Sequence, residues 1–81
     1  MQLEILSPQK TIYAGSAESV ILPGSDGLFT ILDRHAPMIS ALEKGTLRYC
    51  VQGKETEISI NGGVVETKHN QVSVCVETET I

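Results

Sequence analysis

A chain of 81 residues supports one small domain, which buries only about 60% of the surface its unfolded chain exposes and gains from a partner. A net charge of −4 with six scattered cations excludes the basic surface that neutralises nucleic-acid phosphates, and no apolar run approaches the roughly 18 residues of a spanning helix. With 41% hydrophobic residues but only two tyrosines, one phenylalanine and no tryptophan, the core has to come from Ile, Leu and Val.

Taken in chain order, the pattern is β throughout. Leu3 and Ile5 alternate with Glu4 until Ser7-Pro8, and the opening Met1-Gln2-Leu3-Glu4 lacks the basic start of a secretory signal. Thr11 to Ala14 reads as a short strand ending at Gly15, and Glu18 to Leu22 as a strand running into a Pro23-Gly24 turn. Asp26-Gly27 is a hairpin signal. It precedes a strand over Leu28 to Leu32, with Phe29 and Ile31 on one face and one of Leu28 and Phe29 pointing outward. Asp33 to Pro37 reads as a loop, with Ala36 biased toward extended backbone by the proline after it. Pro37 to Leu42 is a short strand or extended link, in which alternation buries either Met38 or Ile39 but not both.

Beyond the turn at Glu43 to Gly45, Thr46 to Gln52 places Leu47, Tyr49 and Val51 on one face. Gly53-Lys54 turns the chain, and Glu55 to Ile60 returns with Ile58 and Ile60 inward. Gly62-Gly63 suits a tight turn, a bulge or a close approach of two backbones. Val64 to Lys68 and Gln71 to Val76 form a hairpin about His69-Asn70, and Glu77 to Ile81 is a polar end expected to fray. Eight or nine short strands (up to ten counting short links) at close spacing predict an all-β sandwich or flattened barrel, a single domain over residues 1–81.

Signals for chemistry are weak. Gly24-Ser25-Asp26-Gly27 lacks the spacing and lysine of a phosphate loop, and no βαβ unit surrounds Gly62-Gly63. His35, His69, Cys50 and Cys75 match no zinc spacing, so no metal and no cofactor are expected. The two cysteines read as reduced packing residues. His35 has two readings: a loop histidine bonded to its own backbone, or a partner contact on a loop held by a rigid scaffold. Ser7-Pro8, Met38, Ile39 and Ser40 belong with it on the second reading.

The run Pro23, Gly24, Gly27, Ile31, Leu32, His35, Ala36, Pro37, Leu42 and Gly45 resembles the epsilon subunits of F-type ATP synthases, in their N-terminal β-sandwich. Leu3 to Ser7, Gly15, Arg48, Gly62-Gly63 with Val65-Glu66, Asn70 and the Val72/Val74 strand extend the resemblance over nearly the whole chain. It implies a non-catalytic central-stalk subunit at the cytoplasmic face of the inner membrane. Such a subunit links the gamma subunit to the membrane c-ring and supports coupling of proton or sodium flow to ATP synthesis. By the same resemblance, Ser7, His35, Ala36, Pro37, Met38 and Ser40 face gamma, and Ser25, Asp26, Gly27 and Leu28 face the c-ring.

The chain departs from the family pattern at three positions and in its length. Thr30 and Arg34 stand where the family has glycine, usually and often respectively, and Leu28 stands where an acidic residue is common. Leu28 therefore implies a ring contact made by packing rather than charge. Many members continue into a helical hairpin that inhibits ATP hydrolysis and in some binds ATP; neither switch nor ATP site is expected in these 81 residues. The rival readings are a free-standing small β-barrel that binds a small molecule or peptide in an apolar pocket, and a carrier domain with a modified lysine. Lys54 comes nearest to the latter.

Overall fold

The computed structural model describes residues 1–78, in which the regular structure is all strand. Nine strands are formed: β1 (Gln2–Leu6), β2 (Thr11–Ser16), β3 (Ser19–Gly24), β4 (Gly27–Leu32), β5 (Met38–Leu42), β6 (Gly45–Val51), β7 (Lys54–Ile60), β8 (Gly62–Lys68) and β9 (Gln71–Glu77). They make two sheets, one ordered β2-β1-β9-β8-β5 and the other β4-β3-β6-β7. All pairings are antiparallel except β1 with β9, which run parallel with Leu3 beside Val72 and Ile5 beside Val74.

The sandwich follows from strand alternation. Leu3, Ile5, Val65, Val72, Val74 and Val76 from the five-stranded sheet meet Val20, Leu22, Ile31, Leu47, Tyr49 and Ile60 from the other, all of them buried. Each such side chain stabilises the fold by about 1.5–3 kcal/mol through burial, before entropy is counted. At one margin the rings of Tyr13 on β2 and Tyr49 on β6 lie 4.8 Å apart, closing the gap between the sheets. The core is mainly aliphatic, as the composition requires, and Ala17, Leu42 and Thr67 are buried with it.

Several boundaries differ from the sequence reading. The β3–β4 reversal falls on Ser25-Asp26, with Pro23-Gly24 still in β3 and Gly27 opening β4. β2 continues through Gly15, which pairs with Leu3. The β6–β7 turn is Gln52-Gly53 rather than Gly53-Lys54, with both residues at positive φ (51° and 78°), as the favoured two-residue hairpin requires. Glu18 is not in β3 but precedes it and binds that turn from the side. Glu77 is not frayed: it ends β9 opposite Gly62, while residues 79–81 lie outside the described residues.

Gly62 and Gly63 form no turn; they open β8 between β5 and β9. Gly63 has φ 156°, and a β-carbon there would run into the Cys75 carbonyl oxygen and lie 3.1 Å from the Val76 α-carbon. Close approach of backbones is therefore the reason for glycine. Gly63→Ala is expected to destabilise the protein by about 2–4 kcal/mol, since the obstacle is backbone that cannot rotate away. Chemical denaturation of wild type and variant checks this.

Candidate functional site

The register fixes which loops share an end of the sandwich. The start of β1, the β4–β5 loop and the β8–β9 turn lie at one end, tied by hydrogen bonds from Gln2 N to Asn70 O (3.0 Å) and from Arg34 N to Asn70 Oδ1 (2.7 Å). The exit of β1, the β3–β4 turn and the β5–β6 turn lie at the other, where Glu43 N donates to Pro23 O at 2.8 Å. Overall the molecule measures 35 × 25 × 19 Å.

At the first end, His35, Ala36 and Pro37 project from the β4–β5 loop. The loop is held at its entry. The Met1 ammonium meets the Asp33 carboxylate at 2.6 Å, and Arg34 takes φ 62°, a left-handed conformation that L-residues adopt at a cost. A glycine would take this φ without that cost. The Met1 ammonium, and after it the Asn70 side chain, hold the Asp33 carboxyl below its ordinary value. His35 N donates to Leu32 O at 3.2 Å, and the ring's Nδ1 lies 2.7 Å from Ala36 O. The ring thus touches the loop's own backbone through one nitrogen.

At the second end, Ser25, Asp26, Gly27 and Leu28 are all exposed, and Leu28, at 71%, is the most exposed large apolar residue described. Alternation turns Leu28 out and Phe29 toward the core. In β5 the same rule turns Ile39 out, at 70% exposure, and Met38 in. Met38 and Ser40 share a depression with Gly24 to Phe29, on the side where edge strands β4 and β5 lie. Four of the six residues expected to face gamma, His35 to Met38, are thus contiguous in one stretch that Ser40 extends, and two of them adjoin the β3–β4 turn. Ser7 stands apart at the far end from His35. Its hydroxyl is spent locally, accepting from Lys10 N at 3.2 Å and donating to Lys10 O at 3.1 Å.

Cys50 points out of the four-stranded sheet and Cys75 out of the five-stranded one, so the two free thiols cannot join within one chain. Among the described residues no three His, Cys, Asp or Glu side chains are placed to hold a metal. Core side chains occupy the space between the sheets, and the depressions described are open surface features; one of about 460 Å³ lies over Leu6, Pro8, Val64 and Cys75.

Over residues 1–80 the chain matches the family described as the beta-sandwich domain of the ATP synthase delta/epsilon chain. It is a member of that family.

This epsilon-type sandwich is 42% identical over 76 residues to the ATP synthase epsilon chain of Desulfitobacterium hafniense, covering 94% of this chain and 58% of the relative. It is 38% identical over 77 residues to that of Leptospira borgpetersenii, covering 95% and 61%. The chain thus spans about three fifths of the length of these relatives. Two solved structures share the fold. They are a chain of the Tetrahymena thermophila mitochondrial ATP synthase central stalk and c-ring (TM-score 0.81, 16% identity, 95% of this chain and 63% of that one) and a chain of the Euglena gracilis mitochondrial enzyme (TM-score 0.86, 18% identity, 91% and 48%).

Glu18 is the functional-looking carboxylate that sequence reasoning missed, because its partners lie over thirty residues away. Its oxygens accept from Gln52 N and Gly53 N, each at 2.9 Å, and these two bonds hold its carboxyl below the ordinary 4.5. A depressed carboxylate stabilises the fold above its unfolded value and loses that contribution as pH falls through the folded one. Glu18→Gln keeps only one acceptor. It is expected to lower the melting temperature at neutral pH, with the difference from wild type shrinking as pH falls below the ordinary carboxylate value and through the lowered folded one. Thermal melts of both proteins across that range check it.

Proposed function

We propose that this chain is a non-catalytic central-stalk subunit of an ion-translocating F-type ATP synthase, a rigid adaptor between the gamma subunit and the membrane c-ring. The observation that carries this reading is the match of the epsilon-type sandwich over residues 1–80. The subunit then sits peripherally at the cytoplasmic face of the inner membrane, and all contact with the bilayer runs through the complex.

The geometry supports the division of labour. Gamma runs along the side formed by β4 and β5, from the His35-Ala36-Pro37 loop past Met38 and Ser40. The ring meets Ser25, Asp26, Gly27 and Leu28 at the other end. Leu28 makes that contact by apolar burial, since a side chain left 71% exposed gains from being covered. Ser7 is the least supported member of the gamma set, because its side chain closes its own turn. A domain of cross-bonded sheets around a filled core transmits load with little deformation. The rival, a small β-barrel binding a ligand in an apolar pocket, would have to use a surface depression such as that over Leu6, Pro8 and Val64, because core side chains occupy the space between the sheets.

The test is capture from detergent-solubilised membranes with this chain as bait, followed by mass spectrometry. Gamma is expected with the α and β subunits. His35→Glu is expected to weaken gamma recovery by about tenfold, as loss of one well-placed interface residue does. Leu28→Asp is expected to lose c subunits while keeping gamma. Capture of none of these by a folded wild-type bait overturns the reading.

A further inference from the structure

We propose that Asn70 is a positioning residue for the partner-binding loop: carried on the β8–β9 turn of one sheet, its side-chain amide fixes the Arg34 backbone at the exit of β4 in the other, and so sets the direction in which His35, Ala36 and Pro37 project. The inference rests on the reading above, that this loop meets gamma.

The turn itself does not need asparagine. His69 and Asn70 are the two central residues of a tight hairpin, with φ 54° and 59°. In such turns the second central position favours glycine, and asparagine is tolerated. What asparagine adds is reach. Its Oδ1 accepts the Arg34 N–H at 2.7 Å, a bond between residues 36 apart in sequence, one in the β8–β9 turn and one in the β4–β5 loop. Its own carbonyl accepts from Gln2 N at 3.0 Å, so the residue providing the amide is anchored to β1.

The residue it holds needs holding. Arg34 sits at φ 62°, where an arginine is strained and glycine is at ease. Beyond it the loop has a 3.2 Å bond from His35 N to Leu32 O and the ring contact with Ala36 O. Without the Asn70 bond, Arg34 relaxes to negative φ and the three following residues lose their fixed course. A loop already in its binding conformation associates without an ordering cost; a released loop meets that cost at the interface.

Asn70→Gly separates the two roles, because it improves the turn while deleting the amide. The experiment titrates wild type, Asn70→Gly and His35→Ala onto an F1 assembly that lacks this subunit. It also follows exchange of the Arg34 amide proton in the free proteins by NMR. Asn70→Gly is expected to melt within about 3 °C of wild type. It is expected to bind about tenfold more weakly, with Arg34 exchange faster by at least about the same factor. Wild-type affinity in Asn70→Gly, with His35→Ala impaired, overturns the positioning role and leaves the gamma reading intact. Unchanged Arg34 exchange overturns it as well. No binding by wild type, or full binding by His35→Ala, overturns the gamma reading and the inference with it.

Discussion

The fold depends on one pairing, the parallel contact of β1 with β9. The five-stranded sheet is two pieces, the β1–β2 hairpin and the β5-β8-β9 unit, and β1 beside β9 is the only ladder that joins them. It places Leu3 and Ile5 next to Val72 and Val74, so the inner face of the sheet is continuous only when strands from opposite parts of the chain have met. Closing a loop of some seventy residues is entropically costly, and the return comes only when those side chains are buried together. The other ladders reach less far along the chain: β1–β2, β3–β4, β6–β7 and β8–β9 join consecutive strands, while β3 with β6 (Ser19 beside Cys50) and β5 with β8 (Met38 beside Thr67) close loops of intermediate length.

That pairing also determines where the candidate surfaces lie. With β1 locked to β9, the start of the chain lies beside the β8–β9 turn, and both come against the exit of β4. Met1, Asp33, Arg34 and Asn70 therefore converge although they come from three parts of the sequence. The His35 loop is ordered by this meeting and not by its own composition. At the opposite end the β3–β4 turn is a short reversal between paired strands, tied at Pro23 to Glu43 N, and Leu28 is exposed because the register of β4 puts Phe29 inside.

Most strands were legible because their alternation is strong. Leu47 and Tyr49, Val72 to Val76, and Leu3 with Ile5 declare an inner face in the sequence alone. The boundaries were less so. Gly62-Gly63 looks like a turn until a neighbouring backbone is seen to pack where a β-carbon would sit. Gln52 gave no sign of being a turn residue, since its positive φ is supported by Glu18 from another strand's entry. The candidate residues were found by motif, yet their grouping was not. Ser7 and His35 fall at opposite ends because the register of β1 against β9 cannot be read from composition or spacing. Asn70 was noted as part of the pattern, but the bond to Arg34 is a tertiary contact with no local signal.

The placement of the two thiols has a consequence for handling the molecule. Cys50 and Cys75 leave opposite outer faces, so each molecule is a bifunctional unit with divergent reactive groups. Oxidation joins such units end to end, and a growing chain has no closed dimer in which to stop. Covering either outer face with another subunit caps one valence and ends the propagation. In a reducing compartment the arrangement is silent. In air, two such thiols allow one molecule to be joined through both faces, and any partner that covers one face leaves a single thiol to react.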